Sequence, residues 1–318
     1  MIGTLVDLNL GAEAACAVPT WWPGSHIRSG VLATRASARV LRAPPSMVIH
    51  VHMSEGGSFV REAAILAAAK RRDLRRIVTI HGYGFAAFSS RRPRLVARVL
   101  GMADAITVLS DSDCARVRTL VPGARVEVLP NPVSLDLQAG PVEKTAEVVL
   151  FAGEVGVRKG ADVLHRAWGS VLAARPTARC IIVGPATSLH LPDLRGLEIR
   201  GPASVAYIRD LIRCARVVAL PSRAEALPMI LSEALAAGRP FVSTPTGGVA
   251  ALSSGGILID IDDERALADA LVKLLADPAL AQRLGSAGQM LCEQWMAPDV
   301  VGKRLRQLYF SAPTDSTL

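Results

Sequence analysis

Two glutamates, Glu225 and Glu233, stand eight residues apart in SRAEALPMILSEALAAGRP, Ser222–Pro240. The stretch is otherwise apolar and reads as a buried helix, so two carboxylates in it need a purpose. Proline is tolerated in the first turn of a helix and not in its interior, so the helix starts near Pro228. Glu225 then belongs to the loop before the helix, and Glu233 to the helix itself. Were the helix continuous, eight steps of 100° would bring the two within about 80° in projection. Both carboxylates and the helix N-terminus then face one place. That N-terminus offers free N–H groups and a partial positive charge, suited to an anion such as a diphosphate. A carboxylate accepts two hydrogen bonds in a fixed fork, suited to vicinal hydroxyls. Phosphates in the middle and diols at both ends describe a nucleotide sugar. The plainer reading is a pair of surface glutamates, Glu225 being an N-terminal charge for the helix. Spacing alone does not separate the two.

Histidines gather in the first half. His81 ends a strand in TIHGYG. His50 and His52, in VIHVHMSEGGS, fall on one face of a strand by alternation. A metal pair there needs a third ligand, and none has fitting spacing. Packing, or a place in a ligand wall with the loop Ser54–Ser58 and its Gly56–Gly57, is the better reading. The five cysteines are widely spaced, odd in number and without metal-ligand spacing, as expected of small buried hydrophobes in a reducing compartment.

Apolar β-branched runs alternate with helical spacing along the chain. Strands are expected over residues 46–53, 76–82, 105–110 and 124–133, and helices over 58–72, 94–103 and 111–121. The polar stretch Ser134–Glu147, broken by Gly and Pro, reads as an interdomain linker. The pattern then restarts, with strands over 147–153, 178–184, 197–201, 217–222, 240–248 and 255–260. Helices are expected over 160–174, 205–215 and 264–277. This is an α/β chain of two Rossmann-like domains, each a parallel sheet covered by helices. Ligands bind such sheets at the carboxyl ends of the strands, and with two domains facing across a cleft the site is expected in that cleft. Expected boundaries are 1–139, with a C-terminal helix over 297–318 packing back on it, and 140–296.

The chain is half hydrophobic, with no apolar run of membrane-spanning length and no signal peptide. A cytoplasmic protein is expected. The net charge is +8, and it is uneven. Residues 1–142 hold 17 Lys/Arg against 10 Asp/Glu, while 143–318 hold 19 against 18. KRRDLRR (Lys70–Arg76) and RRPRLVAR (Arg91–Arg98) are the densest pieces. A solvated Arg-rich surface explains either run alone. The asymmetry keeps open an anionic membrane surface or a phosphorylated ligand. Nucleic acid is not an expected partner, because the 13 aromatic residues do not interleave with the basic ones.

The segment PSRAEALPMILSEALAAGRPFVSTPTGG, Pro221–Gly248, resembles the E-x7-E signature of the family 4 retaining glycosyltransferases, two-domain enzymes of GT-B fold. FAGEVGVRKGADVLHRAW (Phe151–Trp168) resembles that family's Gly-x-x-x-x-x-Lys-Gly loop. ADAITVLSDSD and VEVLPNPV resemble the end of its first domain. LADALVKLLADPALAQRLG, with Leu308–Tyr309, resembles its C-terminal helices. The resemblance implies that Glu225 contacts the donor sugar and Glu233 the ribose hydroxyls. Lys159 would neutralise the diphosphate, with Ala226, Leu227 and Met229 offering backbone N–H groups. His81 would face the reacting sugar from the first domain. The glycine before the family's usual arginine is Gly153, but Glu154 follows it. Either Arg158 replaces that cation, or the donor site is weakened, or Glu154 points elsewhere. Base recognition is expected in the Gly184–Pro185 and Arg200–Gly201–Pro202 loops. His52, Ser54, Gly56 and Gly57 are expected on the acceptor side. Metal-dependent glycosyltransferases of the other major fold use Asp-x-Asp. Asp111–Asp113 and Asp260–Asp262 have that form, but both stand where helices begin and read as N-caps. No metal and no cofactor is expected, only a UDP- or GDP-sugar substrate.

MIGTLVDLNLGAEAACAVPTWWPGS has strand-like pieces, GTLVDLNL and ACAVPTWW, without the family's Gly-Gly loop. Either the true start lies upstream of Met1, or the N-terminal domain is reduced and lacks its first strand or the loop after it. The reading is a retaining transferase, moving a sugar to a glycan or lipid-linked acceptor hydroxyl by front-face transfer. Peripheral docking on the inner face of the plasma membrane is expected through the basic half. A nucleotide-sugar 2-epimerase and a non-catalytic partner subunit are the rivals.

Overall fold

The computed structural model describes residues 16–137, 139–187 and 189–310. Contacts divide the chain into two units. Unit 1 ends at Pro132 and takes in the last helix from Pro298, while unit 2 is Val133–Ala297.

In chain order unit 1 contains α1 (His26–Val40), β1 (Val48–Met53), α2 (Gly57–Arg71), β2 (Arg75–Ile80), α3 (Phe85–Arg91) and α4 (Pro93–Leu100). β3 (Ala105–Val108), α5 (Asp111–Leu120) and β4 (Val126–Val128) follow. Among the described residues of unit 1 the four strands are parallel and lie in sequence order. β3 buries every residue and β2 its last four, as strands covered on both faces must. One face packs on α2, α4 and α5 through Phe59, Leu66, Val78, Val96, Leu100, Ile106 and Val117. The last helix, α11 (Pro298–Phe310), covers the other face. There Val301, Leu305 and Leu308 meet Ile77, Ala105 and Leu129.

Unit 2 contains β5 (Val148–Ala152), α6 (Ala161–Ala174), β6 (Arg179–Val183), β7 (Leu197–Arg200), α7 (Val205–Cys214), β8 (Val217–Leu220) and α8 (Met229–Ala236). β9 (Phe241–Ser243), a 3-10 stretch over Gly247–Gly255, β10 (Gly256–Leu258), α9 (Glu264–Ala276) and α10 (Pro278–Leu291) complete it. Its six strands run β10-β9-β8-β5-β6-β7, all parallel. The chain moves outward from β5 through β6 to β7. It then returns to lay β8 on β5's other side and continues to β10. The order therefore reverses between β5 and β8, which opens a crevice at their carboxyl ends.

Three expectations are corrected. The stretch expected as a linker is packed into unit 2. Val142 is fully buried and its N–H donates to Gln282 Oε1 at 2.8 Å. Buried Arg239 donates to the Gly140 carbonyl at 2.8 Å, and Arg216 holds the Thr145 carbonyl. These contacts set the division between Pro132 and Val133 instead of 139 and 140. ACAVPTWW is not a strand: residues 16–22 are irregular, and GTLVDLNL lies outside the described residues. The helices α1 and α3 were not expected. α1 hides because its buried face is Ser29, Ala33, Ala36 and Val40, small residues with little hydropathic contrast. Its Ser25 cap, accepting from Arg28 N–H, was the legible signal.

Candidate functional site

The candidate site of unit 2 sits on the carboxyl ends of its strands. Gly153 follows β5, Gly184 follows β6 and Gly201 follows β7. A Cβ on Gly184 would collide with the Gly153 carbonyl, so the two loops approach this closely only with glycine at 184. Val155 N–H donates to Pro185 O at 2.8 Å and continues that contact. Gly201 has open space around it.

The switch point between β5 and β8 holds the charged groups. Glu225, 8% exposed, receives Lys159 Nζ at 2.5 Å and Ser222 Oγ at 2.8 Å, both on Oε1. Arg158 Nη1 stands 4.0 Å from Glu225 Oε2 and donates to the Ala224 carbonyl at 3.2 Å. Arg158 Nη2 lies 3.7 Å from Glu154 Oε2. Glu154 therefore points at the cation expected to replace the missing arginine. Glu154, Arg158, Lys159 and Glu225 form one group of two positive and two negative charges.

The loop that carries Glu225 is braced from two sides. Gly247, at φ +56, crosses so close that a Cβ would strike the Glu225 carbonyl, and Gly248 N–H donates to the Ala226 carbonyl. Arg223, missed in the sequence, grips both oxygens of Asp162 at 2.8 Å and Asp262 at 2.5 Å, and also holds the Val157 carbonyl. Burial pushes the Asp162 carboxyl up, but the bonds from Arg223 and Arg166 outweigh it and leave the group at about 2. Arg223 thus ties the Lys159 turn to the Glu225 loop.

Pro228 is the cap residue of α8 and Met229 its first helical residue. Met229 and Ile230 therefore have N–H groups without an acceptor inside the helix. Glu233 lies one turn further on, half-buried; its carbonyl accepts from Ala237 N–H at 3.1 Å, and its carboxylate makes no hydrogen bond to a described residue. Burial raises its pKa, with Arg209 pulling the other way. Because the helix starts after Glu225, the two glutamates are held by different elements. Glu225 faces the Lys159 turn, and Glu233 lies on the helix.

The Asp triplets are occupied otherwise. The cap of α5 is Ser110, whose Oγ accepts from Asp113 N–H at 3.1 Å, and the cap of α9 is Asp263, accepting from Ala266 N–H at 2.8 Å. Each cap is thus one residue outside its triplet. Among the described residues no three His, Cys, Asp or Glu side chains converge as a metal-ligand set.

Unit 1 has its own polar cluster at the carboxyl ends of β1 and β2. The rings of His50 and His52 stack at 4.3 Å, and those of His52 and His81 at 5.0 Å. His52 Nδ1 meets His81 Nε2 at 2.7 Å. Beneath them His50 bonds Tyr309 of α11 at 2.7 Å and Thr79 at 2.6 Å. Burial holds all three imidazoles neutral, His52 near 4 and His81 near 3. Gly56, at φ +65, turns the chain from β1 into α2, with Gly57 the first helical residue. Glu55, within the Ser54–Ser58 loop but not singled out there, folds over Gly82 and Gly84, where a Cβ on either glycine would meet its carboxylate. Ser54 Oγ donates to it at 2.9 Å.

Comparison with known proteins follows the same division. Residues 10–137 match the family model described as Glycosyltransferase Family 4, and residues 146–277 the one described as Glycosyl transferases group 1. A D-inositol 3-phosphate glycosyltransferase of Xylanimonas cellulosilytica is 29% identical over 61% of this chain and 51% of the relative. A GDP-mannose-dependent monoacylated alpha-(1-6)-phosphatidylinositol monomannoside mannosyltransferase of Corynebacterium glutamicum is 28% identical over 53% and 48%. The chain spans about half the length of these curated relatives. Among solved structures, sucrose-phosphate synthase from Thermosynechococcus elongatus aligns with TM-score 0.71 at 20% identity, over 95% of this chain and 81% of that one. Anabaena HepE in complex with UDP aligns with TM-score 0.72 at 16% identity, over 89% and 82%. The two family models match successive stretches of the chain, 10–137 and 146–277, and the two parallel-sheet units follow the GT-B fold. On these grounds the protein belongs to the family 4 glycosyltransferases.

Proposed function

We propose that this protein moves a sugar from a nucleotide-sugar donor to an acceptor hydroxyl, with retention of configuration, in polysaccharide or glycolipid synthesis. Unit 2 binds a UDP- or GDP-sugar and unit 1 the acceptor. The observation that carries the reading is the group at the β5/β8 switch point. There Lys159 and Glu225 are in contact beside a loop that leads into the free N-terminus of α8. Departure of a nucleoside diphosphate builds negative charge, and fixed cations and N–H groups stabilise it without reorganisation. Glu233 accepts the ribose hydroxyls in this reading, which its half-buried position one turn into α8, with no described partner for its carboxylate, supports.

The test is a thermal-shift screen with UDP, GDP, ADP and their sugar conjugates. Stabilisation by one nucleotide, lost in Glu233→Ala, supports the reading and identifies the base. The non-catalytic subunit is the second reading, favoured by Glu154, which balances the charge of Arg158. It predicts no turnover of any donor. A 2-epimerase predicts donor conversion without acceptor.

Docking to an anionic membrane surface is part of the proposal. Among the described residues no helix is long and apolar enough to cross a membrane. Along α3, α4 and the Arg92 between them, Arg91, Arg92, Arg94 and Arg98 are exposed, while Val96, Val99 and Leu100 anchor α4 in the core. Co-sedimentation with phosphatidylserine vesicles that weakens with salt supports this, and no pelleting at low salt refutes it.

A further inference from the structure

The triplet Asp260–Ile261–Asp262 caps no helix, since Asp263 caps α9, and it joins no metal-ligand set among the described residues. Asp262 is nonetheless held in an uncommon shape. Its φ is +65, a left-handed backbone that only Asp73 shares among the described residues other than glycine. Its carboxylate stands 2.5 Å from Arg223 Nη2. Aspartate tolerates this backbone better than most side chains, so one residue makes the turn and also supplies the carboxylate.

The two terminal nitrogens of Arg223 carry four N–H groups, and four acceptor oxygens face them. Nη1 donates to Asp162 Oδ1 at 2.8 Å and to the Val157 carbonyl. Nη2 donates to Asp162 Oδ2 at 2.8 Å and has Asp262 Oδ1 as its other neighbour. The turn between β5 and α6, the loop after β8 and the loop after β10 thus converge on one guanidinium. Val157 comes two residues before Lys159, and Arg223 two before Glu225. The backbone N–H of Arg223 donates to the Arg158 carbonyl at 2.8 Å, and Arg158 Nη1 returns a bond to the Ala224 carbonyl. These bonds fix the main chains on both sides of the Lys159–Glu225 contact. A bidentate pair such as Arg223 with Asp162 sets the plane of the fork but lets the two groups swing together. A second carboxylate, from a separate loop, stops that swing. The Asp262 side chain is 51% exposed against 15% for Asp162, so it adds little to stability and acts on orientation.

We infer that Asp262 is a positioning residue for the donor site, acting through Arg223 on the Lys159–Glu225 pair. It touches neither member of that pair itself; it holds the guanidinium that holds the two loops carrying them. Calling the site a donor site rests on the proposed function, while the hold of Asp262 on the pair does not.

The test uses Asp262→Gly and Asp262→Asn, which remove the carboxylate and keep the turn, since glycine and asparagine both accept a left-handed φ. Titration calorimetry with UDP and GDP is expected to show nucleotide binding weakened about twofold to fivefold in both variants. Their Tm without nucleotide is expected to stay close to that of the unsubstituted protein. A merely structural ion pair would do the reverse, lowering Tm and leaving affinity alone. Unsubstituted affinity in either variant overturns the inference. A second measurement needs no ligand. A double-mutant cycle in urea, on Lys159→Ala and Glu225→Gln, reads the coupling of that pair. The coupling is expected to shrink when the cycle is repeated in the Asp262→Asn background, and an unchanged coupling overturns the inference. Absence of UDP and GDP binding from the unsubstituted protein counts against the donor-site reading, and the coupling then decides the role of Asp262.

Discussion

Glu154 sets the charge that a diphosphate would meet. It stands 3.7 Å from Arg158, and the pair is partly exposed, so the coupling is modest. Glu154→Ala is expected to raise nucleotide affinity by about twofold to fivefold, read by isothermal titration. Unchanged or weaker binding would mean that Arg158 does not meet the phosphates. Lys159 and Glu225 are a different case, because their side chains are only 15% and 6% exposed. Lys159→Ala leaves a buried carboxylate short of its main partner and is expected to cost about 3 kcal/mol in urea unfolding. Lys159→Ala with Glu225→Gln should recover much of that loss and still not respond to nucleotide. Recovery of the nucleotide response in the double variant would remove Lys159 from the donor site. The sequence marked all four of these residues, yet their pairing joins segments more than sixty residues apart. Arg223 escaped notice for the same reason, since Asp162 and Asp262 are neighbours only once α6 and α9 stand beside β8.

At the scale of elements, the Glu225 loop keeps its shape because another loop crosses it without a side chain. Gly247 has φ +56 and touches the Glu225 carbonyl. Gly247→Ala is expected to cost at least about 1–2 kcal/mol from the backbone alone and to abolish nucleotide stabilisation. Urea midpoint and thermal shift measured together check both; a stable variant that still binds would show that the crossing loop is dispensable. Strands and long amphipathic helices were legible, their ends within a few residues, because burial on one or both faces writes period into the sequence. α1 was not, because alanine and serine can fill a close helix–helix contact without marking a hydrophobic face.

At the scale of the molecule, buried imidazoles make stability depend on pH. His50, His52 and His81 are held neutral when folded and regain an ordinary pKa of 6.5 when unfolded. Below that value the unfolded chain binds more protons. Stability therefore falls as pH falls from about 6.5 until the folded-state values near 4 and 3 are reached. Glu62, Asp113 and Glu233, raised by burial, act in the opposite sense nearer the carboxylate range. Thermal unfolding should show a lower Tm at about pH 5 than at neutral pH. A double variant, His52→Gln with His81→Gln, should flatten that slope; an unchanged slope would place the acid sensitivity elsewhere.

By itself the sequence determined the class of the molecule, two runs of β/α units, and the strand ends that carry Gly153, Gly184, Glu225 and His81. These are local matters, since burial period, proline placement and the turn chemistry of glycine act over a few residues. Only the tertiary structure decided which charges meet. It set Glu225 against Lys159, turned Glu154 toward Arg158, and stacked His52 between His50 and His81. It also gathered the expected linker into unit 2 through Arg216 and Arg239. A side chain's partner is chosen by strand order and register, and in this protein strand order reverses at the β5/β8 boundary where the candidate donor site lies.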